Sequence, residues 1–277
     1  MQEKLTFEIL CTTMNQSGFE KIKTMNVQTN IVLANQTSFV DYKEFAFDGE
    51  HVARLVSTNT QGVGINRNIS LLYARGDICL LADDDMEFVN NLENVVLNDF
   101  ANHPDADVII FNIKTNSKNR PEKVNSKFRR LSLFERTPYG AVRIAFRLKS
   151  IKKINASFNC LFGGGCKYLA GEDSLFLSFL KKNKLRIYLS NQYIGKTDTR
   201  VSSWFSGYDN RYFYSKGAFL KASNKKPFVL WALYYAIRTK KYSSLKIREK
   251  MIWMGRGKKS YKNIESFDEF VTSNEKR

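Results

Sequence analysis

Between Leu5 and Ile113 the sequence switches repeatedly between two periods. Short apolar runs at Leu5 to Cys11, Ile31 to Ala34, Val52 to Ser57, Ile78 to Ala82 and Val108 to Ile113 read as strands, bounded by polar and turn-forming residues. Asn66 to Ala74 and Val89 to Phe100 carry the apolar spacing of helices. This βαβ alternation predicts an α/β protein with a mostly parallel sheet flanked by helices, and it places ligands outside the carboxyl ends of the strands. From Lys114 to Pro138 a polar stretch predicts a long irregular connection. Apolar residues resume at Ala141 to Leu148, a helix is expected from Glu172, and Leu185 to Leu189 reads as a closing strand.

One of those strand ends is unusual. The run LLADDDMEF, residues 80 to 88, follows a buried-looking strand with three consecutive carboxylates, which repel unless something positive lies among them. A magnesium or manganese ion carrying a phosphorylated ligand would serve, since such ions take hard oxygen ligands. An Asp in a strand-to-helix loop can also be a helix cap or a solvated turn. A second acidic pair, Glu172 and Asp173 in AGEDSLFL, opens a helix after glycine, where the helix dipole alone would favour it. Taken together, two acidic clusters at two such junctions have a chemical use: one holds metal and diphosphate, and the other takes a proton from a hydroxyl nucleophile.

Composition narrows the class. The chain has 277 residues, 43% hydrophobic and 26% charged, as an ordinary globular protein does. The N-terminal MQEKLTFEILCTTMN lacks the pattern of a secretory signal, and the longest apolar run, Phe228 to Ile237, is too short to span a bilayer. A cytoplasmic protein is the expectation. Cys11, Cys79, Cys160 and Cys166 form no C-x-x-C pair and read as core thiols, and His51 and His103 have no ligand-like spacing, so a zinc site is not expected. The net charge of +17 is lopsided, with 17 Lys and Arg against 5 Asp and Glu after residue 210. That asymmetry points the C-terminal segment toward an anionic partner, phospholipid or nucleic acid. The change of character near residue 200 suggests two domains, 1–199 and 200–277.

The run GVGINRNISLLYARGDICLLADDDMEF resembles the nucleotide-sugar-binding core of family-2 glycosyltransferases of the GT-A fold, where an Arg-Asn helix start precedes a strand bearing a D-x-D motif. FGGGCKYLAGEDSLFL is similar to that family's acceptor-side loop and its Glu-Asp motif. The resemblance covers roughly residues 5 to 195. It implies a GT-A, Rossmann-like, mostly parallel mixed sheet with a C-terminal helical basic extension, and an inverting transfer from a nucleoside-diphosphate sugar, UDP-linked by expectation. Asp85 and Asp83 are then the metal ligands for Mn2+ or Mg2+. Thr12, Thr13, Asn15, Asn35, Arg67, Asp83 and Asp84 would meet the donor, Asp173 would be the catalytic base, and Glu172 would support the acceptor or orient that base. Two departures stand out: ANQTSF puts Asn35 where the family commonly has Asp, and YIGKTDTR lacks a His that some members carry, leaving Lys196, Thr197 or Arg200 for the diphosphate.

Trp204, Phe205, Tyr208, Tyr212 and Phe213 could form an acceptor wall, with Trp204 and Tyr208 as its main candidates, or could be a core cluster. PFVLWALYYAI and the basic stretch after it have the mixture of a membrane-interface segment, on the inner face of a plasma membrane carrying a lipid-linked glycan acceptor; a core helix with a solvated basic face is the alternative. A nucleotidyltransferase or nucleic-acid-binding protein would also use paired carboxylates, metal and a basic surface, but no nucleic-acid reader motif is present and the Glu-Asp helix would lack a task. An inert glycan-binding relative is the third reading.

Overall fold

The computed structural model describes residues 5–115, 124–132, 135, 137–197 and 207–275, with residues 274 and 275 described by backbone alone. Contacts divide the chain into two units, residues 1–61, 65–158 and 176–200 in the first and residues 62–64, 159–175 and 201–277 in the second. The second unit thus includes two segments, 62–64 and 159–175, that the sequence-based division leaves in the stretch 1–199.

The first unit is built on strands β1 (Phe7–Met14), β2 (Asn30–Gln36), β3 (Asp41–Phe47), β4 (His51–Thr58), β5 (Ile78–Asp83), β6 (Met86–Phe88), β7 (Val108–Thr115), β8 (Arg129–Arg130), β9 (Ile144–Arg147) and β10 (Ile187–Thr197). Among the described residues they join one sheet in the order β3-β4-β2-β1-β5-β9-β7-β10-β6, with β8 against β10. The run β4-β2-β1-β5 is parallel throughout, as is the pair β7 and β10. Strand β9 enters antiparallel between β5 and β7, and β3 and β6 are antiparallel edges. Helices α1 (Glu20–Thr24), α2 (Val63–Leu72), α3 (Leu92–Asn102), α4 (Leu148–Lys153) and α5 (Glu172–Lys182) alternate with the strands. This is the expected α/β class.

Alternation along the strands explains the two apolar layers. Ile9, Cys11, Ile31, Leu33, Ile78 and Leu80 face one layer with Leu92, Val96 and Phe100 of α3. Leu10, Val32, Cys79 and Leu81 face the other, with Ile151 of α4 and Phe176, Leu177 and Leu180 of α5. Both faces are covered, so each strand reads as a continuous apolar run. Strand β3 leaves no apolar run in the sequence because it is an exposed edge: DYKEFAF is half-exposed or exposed along its length. Its signal lay in the turn, where Asp48 and Gly49 have φ of 50° and 80°, the left-handed pair that a tight hairpin uses.

At the amino end of the central strands lies a buried charge pair. Glu8 on β1 and Arg54 on β4 are 1% and 2% exposed and bond directly. The carboxylate also accepts from the backbone N–H of Arg75 at 2.7 Å and Gly76 at 3.1 Å, and the guanidinium donates to Tyr73 O at 2.6 Å. Every charge is matched, which is what permits burial.

The second unit contains α6 (Asn210–Ala222), α7 (Phe228–Arg238), α8 (Ile247–Ser260) and α9 (Phe267–Glu275). Asp209 caps α6 by accepting from Tyr212 N at 2.8 Å, and Ser266 and Glu269 form a reciprocal box at the start of α9. Helices α6 and α8 cross through two glycines. A Cβ on Gly217 would lie 1.9 Å from Met254 O, and one on Gly257 1.9 Å from Tyr214 O. The basic stretch of the tail is therefore not simply a solvated face. Lys250 of α8 is fully buried, with Nζ 3.2 Å from Thr239 O and 3.5 Å from Ala236 O, answering carbonyls at the C-terminal end of α7. The cysteine expectation holds in part: Cys11 and Cys79 are buried, whereas Cys160 is exposed and Cys166 half-buried, because both lie in the loop before α5 rather than in a strand.

Two stability outcomes follow from these contacts. Glu8→Ala should cost about 3–5 kcal/mol in urea unfolding by stranding the Arg54 charge, while the joint change Glu8→Leu with Arg54→Met should cost clearly less. Equal losses would show that the pair is not what matters at that site. For Gly217→Ala, helix propensity alone would stabilise by about 1 kcal/mol. The crossing instead requires a loss of about 1–3 kcal/mol or more, seen as a lower melting temperature.

Candidate active site

The carboxyl ends of β1 and β5 meet in register, Thr12 beside Asp83. From that register the Thr12 hydroxyl donates to Asp83 Oδ1 at 2.9 Å, and the Thr13 hydroxyl donates to Asp84 Oδ2 at 2.6 Å. Arg67, 4% exposed on α2, places Nη2 3.2 Å from the same Asp83 oxygen, its guanidinium 5.3 Å over the Phe158 ring. Lys21 of α1 lies 3.3 Å from Asp84 Oδ2 and donates to Asp84 O at 3.0 Å.

The three residues Asn66, Arg67 and Asn68 have distinct tasks. Asn66 donates to Thr13 O at 3.0 Å and Ala34 O at 2.8 Å, so it clips the ends of β1 and β2 together. Its Oδ1 is buried and finds no partner among the described residues. Asn68 pairs with the backbone of Phe158, donating to its O at 3.0 Å and accepting from its N at 2.7 Å, which fixes the ring beneath Arg67.

Asp85 differs from its neighbours. Partial desolvation, then the negative charge of Asp83 and, more weakly, Asp84, push its carboxyl above the usual carboxylate range, while a hydrogen bond with Thr197 at the end of β10 opposes the shift. Among the described residues no cation pairs with it. An added positive charge at this turn would relieve that repulsion, and the oxygen donors suit a hard divalent ion. No group of three or more His, Cys, Asp or Glu side chains stands gathered for an ion among the described residues, so such an ion would complete its shell from a bound phosphate or water.

The sequence-derived donor residues therefore divide. Thr12, Thr13, Arg67, Asp83, Asp84 and Asp85 come together. Asn15 is exposed at the turn leaving β1, with φ 52° and its N–H on Gln36 O at 3.0 Å. Asn35 does not reach the surface: it is fully buried, accepts from Gln16 N at 3.0 Å, and donates to Gln16 O at 2.8 Å and Ser57 Oγ at 3.0 Å. Those bonds spend its amide on the loop after β1 and on β4. Lys196 pairs with Glu87 at 2.9 Å. Lys21, Asn66 and Asn68 were not singled out from sequence; the run NRN at a helix start was the available signal for the last two.

In the second unit, Glu172 and Asp173 begin α5, both half-buried. Glu172 Oε2 accepts from Gly171 N at 2.9 Å, and its carboxyl fills the space beside Gly163, where a Cβ would lie 2.9 Å from Glu172 Cδ and 2.4 Å from Val63. With φ of 108° at Gly163, only glycine fits easily. Tyr208 lines an open cavity of about 510 Å³ with Asn210, Arg211, Tyr242, Ser243 and Phe267. Trp204, Phe205 and Arg200 lie outside the described residues.

The sequence matches the model of glycosyl transferase family 2 over residues 35–165, which takes in Arg67, the three aspartates and the glycine run and ends before Glu172. Comparison of the sequence with curated proteins gives no match. Among solved structures, S. aureus TarS 1-349 in complex with UDP-GlcNAc superposes with a TM-score of 0.58 at 15% identity, over 94% of this chain and 72% of that one. The UDP complex of the same protein gives 0.57 at 15% identity, over 90% and 78%. S. aureus TarS in its longer form gives 0.54 at 14%, over 91% of this chain and 43% of that one. At these identities the likeness is one of fold. Residues 35–165 thus carry the match to glycosyl transferase family 2, and the chain has the GT-A fold of its structural neighbours.

Proposed function

We propose that the chain moves a sugar from a uridine diphosphate donor to a hydroxyl of a glycan or lipid-linked acceptor, with inversion at the anomeric carbon, in polysaccharide or glycoconjugate synthesis on the cytoplasmic side of a membrane. The observation that carries this reading is the aspartate turn at the end of β5, held by Thr12, Thr13, Arg67 and Lys21 and leaving Asp85 without a paired cation among the described residues. The UDP-GlcNAc and UDP complexes of S. aureus TarS support a uridine donor. The family match favours sugar transfer over the nucleic-acid reading.

In this reading Asp85 and Asp83 would hold a manganese or magnesium ion, which would supply positive charge against the departing diphosphate. Arg67 and Thr12 fix the Asp83 carboxylate, so that little reorganisation is needed when donor arrives. Asp84 is committed to Thr13 and Lys21 and acts as the rivet of the turn, not as a ligand. Asp173 takes the proton from the acceptor hydroxyl as its oxygen bonds to the anomeric carbon and the bond to the diphosphate oxygen breaks. Glu172, bonded to Gly171 N, holds the end of the glycine loop just before Asp173.

Asp85→Ala should lower transfer on the order of a hundredfold or more and weaken UDP binding in manganese, measured by calorimetry with and without the ion. Full activity in excess chelator would reject the metal assignment. For the base, Asp173→Asn keeps size and capping ability while removing the proton acceptor. Turnover should fall on the order of a hundredfold or more with UDP affinity and melting temperature retained. Near-normal turnover, or parallel loss of affinity and fold, would take Asp173 out of the mechanism.

A further inference from the structure

Helix α7 has two faces. Ala232 and Ala236 are buried against the helices of its own unit. On the other side Val229, Leu230, Tyr234 and Ile237 are 59%, 62%, 37% and 53% exposed. Their spacing puts them on one stripe, with Leu233, half-buried, between them. A stripe of this kind has an unfavourable contact with water, and its surroundings say what would cover it.

The charges beside it are all of one sign. Lys225 and Lys226 precede the helix, Arg238 ends it, Lys240 and Lys241 follow, and all five are exposed. From Asn210 to Arg248 the sequence carries ten Lys and Arg and no Asp or Glu. Several of these cations lie on aromatic rings: Lys225 Nζ is 4.8 Å over Trp231, and Lys241 Nζ is 5.0 Å over Tyr242. Arg238 donates to the Tyr234 hydroxyl at 2.8 Å. Basic stems lying on aromatic side chains suit the boundary between acyl chains and headgroups.

We infer that the outward face of α7 is a docking surface for an anionic lipid leaflet, with Val229, Leu230, Tyr234 and Ile237 entering the interface and the flanking lysines and arginines meeting headgroup phosphates. The helix lies in the plane of the membrane; no helix of the described residues is long and apolar enough to cross one. A nucleic acid would reward the cations but not the aliphatic stripe, and a protein partner would have to supply both an apolar patch and a rim of carboxylates at each end. The lipid surface offers both features at once. The inference rests on the glycosyltransferase reading only for its purpose, a lipid-linked acceptor, because vesicle binding is measured without turnover.

The full chain is sedimented with phosphatidylcholine vesicles, with and without phosphatidylglycerol. Binding should require the anionic lipid and weaken as salt rises. Removing the four charges Lys225, Lys226, Lys240 and Lys241 as Gln should cost about fivefold in affinity for each cation. The pair Leu230→Ser and Ile237→Ser should cost about tenfold or more with the salt dependence kept. Both positions are solvent-facing, so melting temperature and UDP affinity should not change; if the pair does unfold, Val229→Ser alone replaces it. Absence of wild-type binding, undiminished binding of the apolar variants, or tighter binding to duplex DNA than to vesicles would each overturn the assignment. Failure of sugar transfer with vesicle binding intact would instead count against the reaction alone.

Discussion

Three carboxylates in a row at the end of a buried strand repel one another, and much of the first unit is arranged around that repulsion. Each aspartate has a different answer. Asp83 is met by a hydroxyl and a guanidinium, Asp84 by a hydroxyl and an ammonium, and Asp85 by the Thr197 hydroxyl with no paired cation among the described residues. The parallel register of β1 and β5 makes the first two answers possible, since it sets Thr12 beside Asp83 and lets Thr13 reach the next residue of the turn. Negative charge left unmatched in a partly desolvated corner is costly, and a positive ion placed there would relieve it.

The same strand is tied at its other end. Glu8 and Arg54 join β1 to β4 across β2 through a fully matched buried pair. Between those two polar ends β1 is apolar on both faces, so its position is fixed by packing in the middle and by charge at the termini. Asn66 adds a third tie, clipping β1 to β2 at the carboxyl end. A site that must hold oxygen atoms in place benefits from strands that cannot slide.

In the second unit the absence of side chains sets the packing. Gly62, Gly163 and Gly171 take φ values of 119°, 108° and 135°, and a Cβ on each would meet a neighbouring side chain at 2.6 Å or less. These glycines let residues 62–64 lie against the loop before α5 and leave space for Glu172. Gly217 and Gly257 do the same for two helices, bringing backbone against backbone. Gly62, Gly163 and Gly171, within the glycine runs that carry the family resemblance, are thus also residues that no larger side chain could replace without moving the loop.

The sequence by itself determined the class of sheet, the positions of its central strands and the acidic turn, because strands buried on both faces and carboxylates in succession leave marks that need no partner to be read. It also singled out Arg67, Thr12 and Thr13. Other features depended on the partner a residue meets. Asn35, expected at the donor, is sealed within the sheet because Gln16 and Ser57 use its amide. Lys250 belongs to a basic stretch yet is fully buried, because the end of α7 presents it with carbonyls. Strand β3 was hidden by its polar, exposed edge, and α7 showed its apolar composition without showing which side would stay in water. Periodicity reports the pattern along one element; only the packing of elements against each other decides which polar groups find partners and which apolar faces remain exposed.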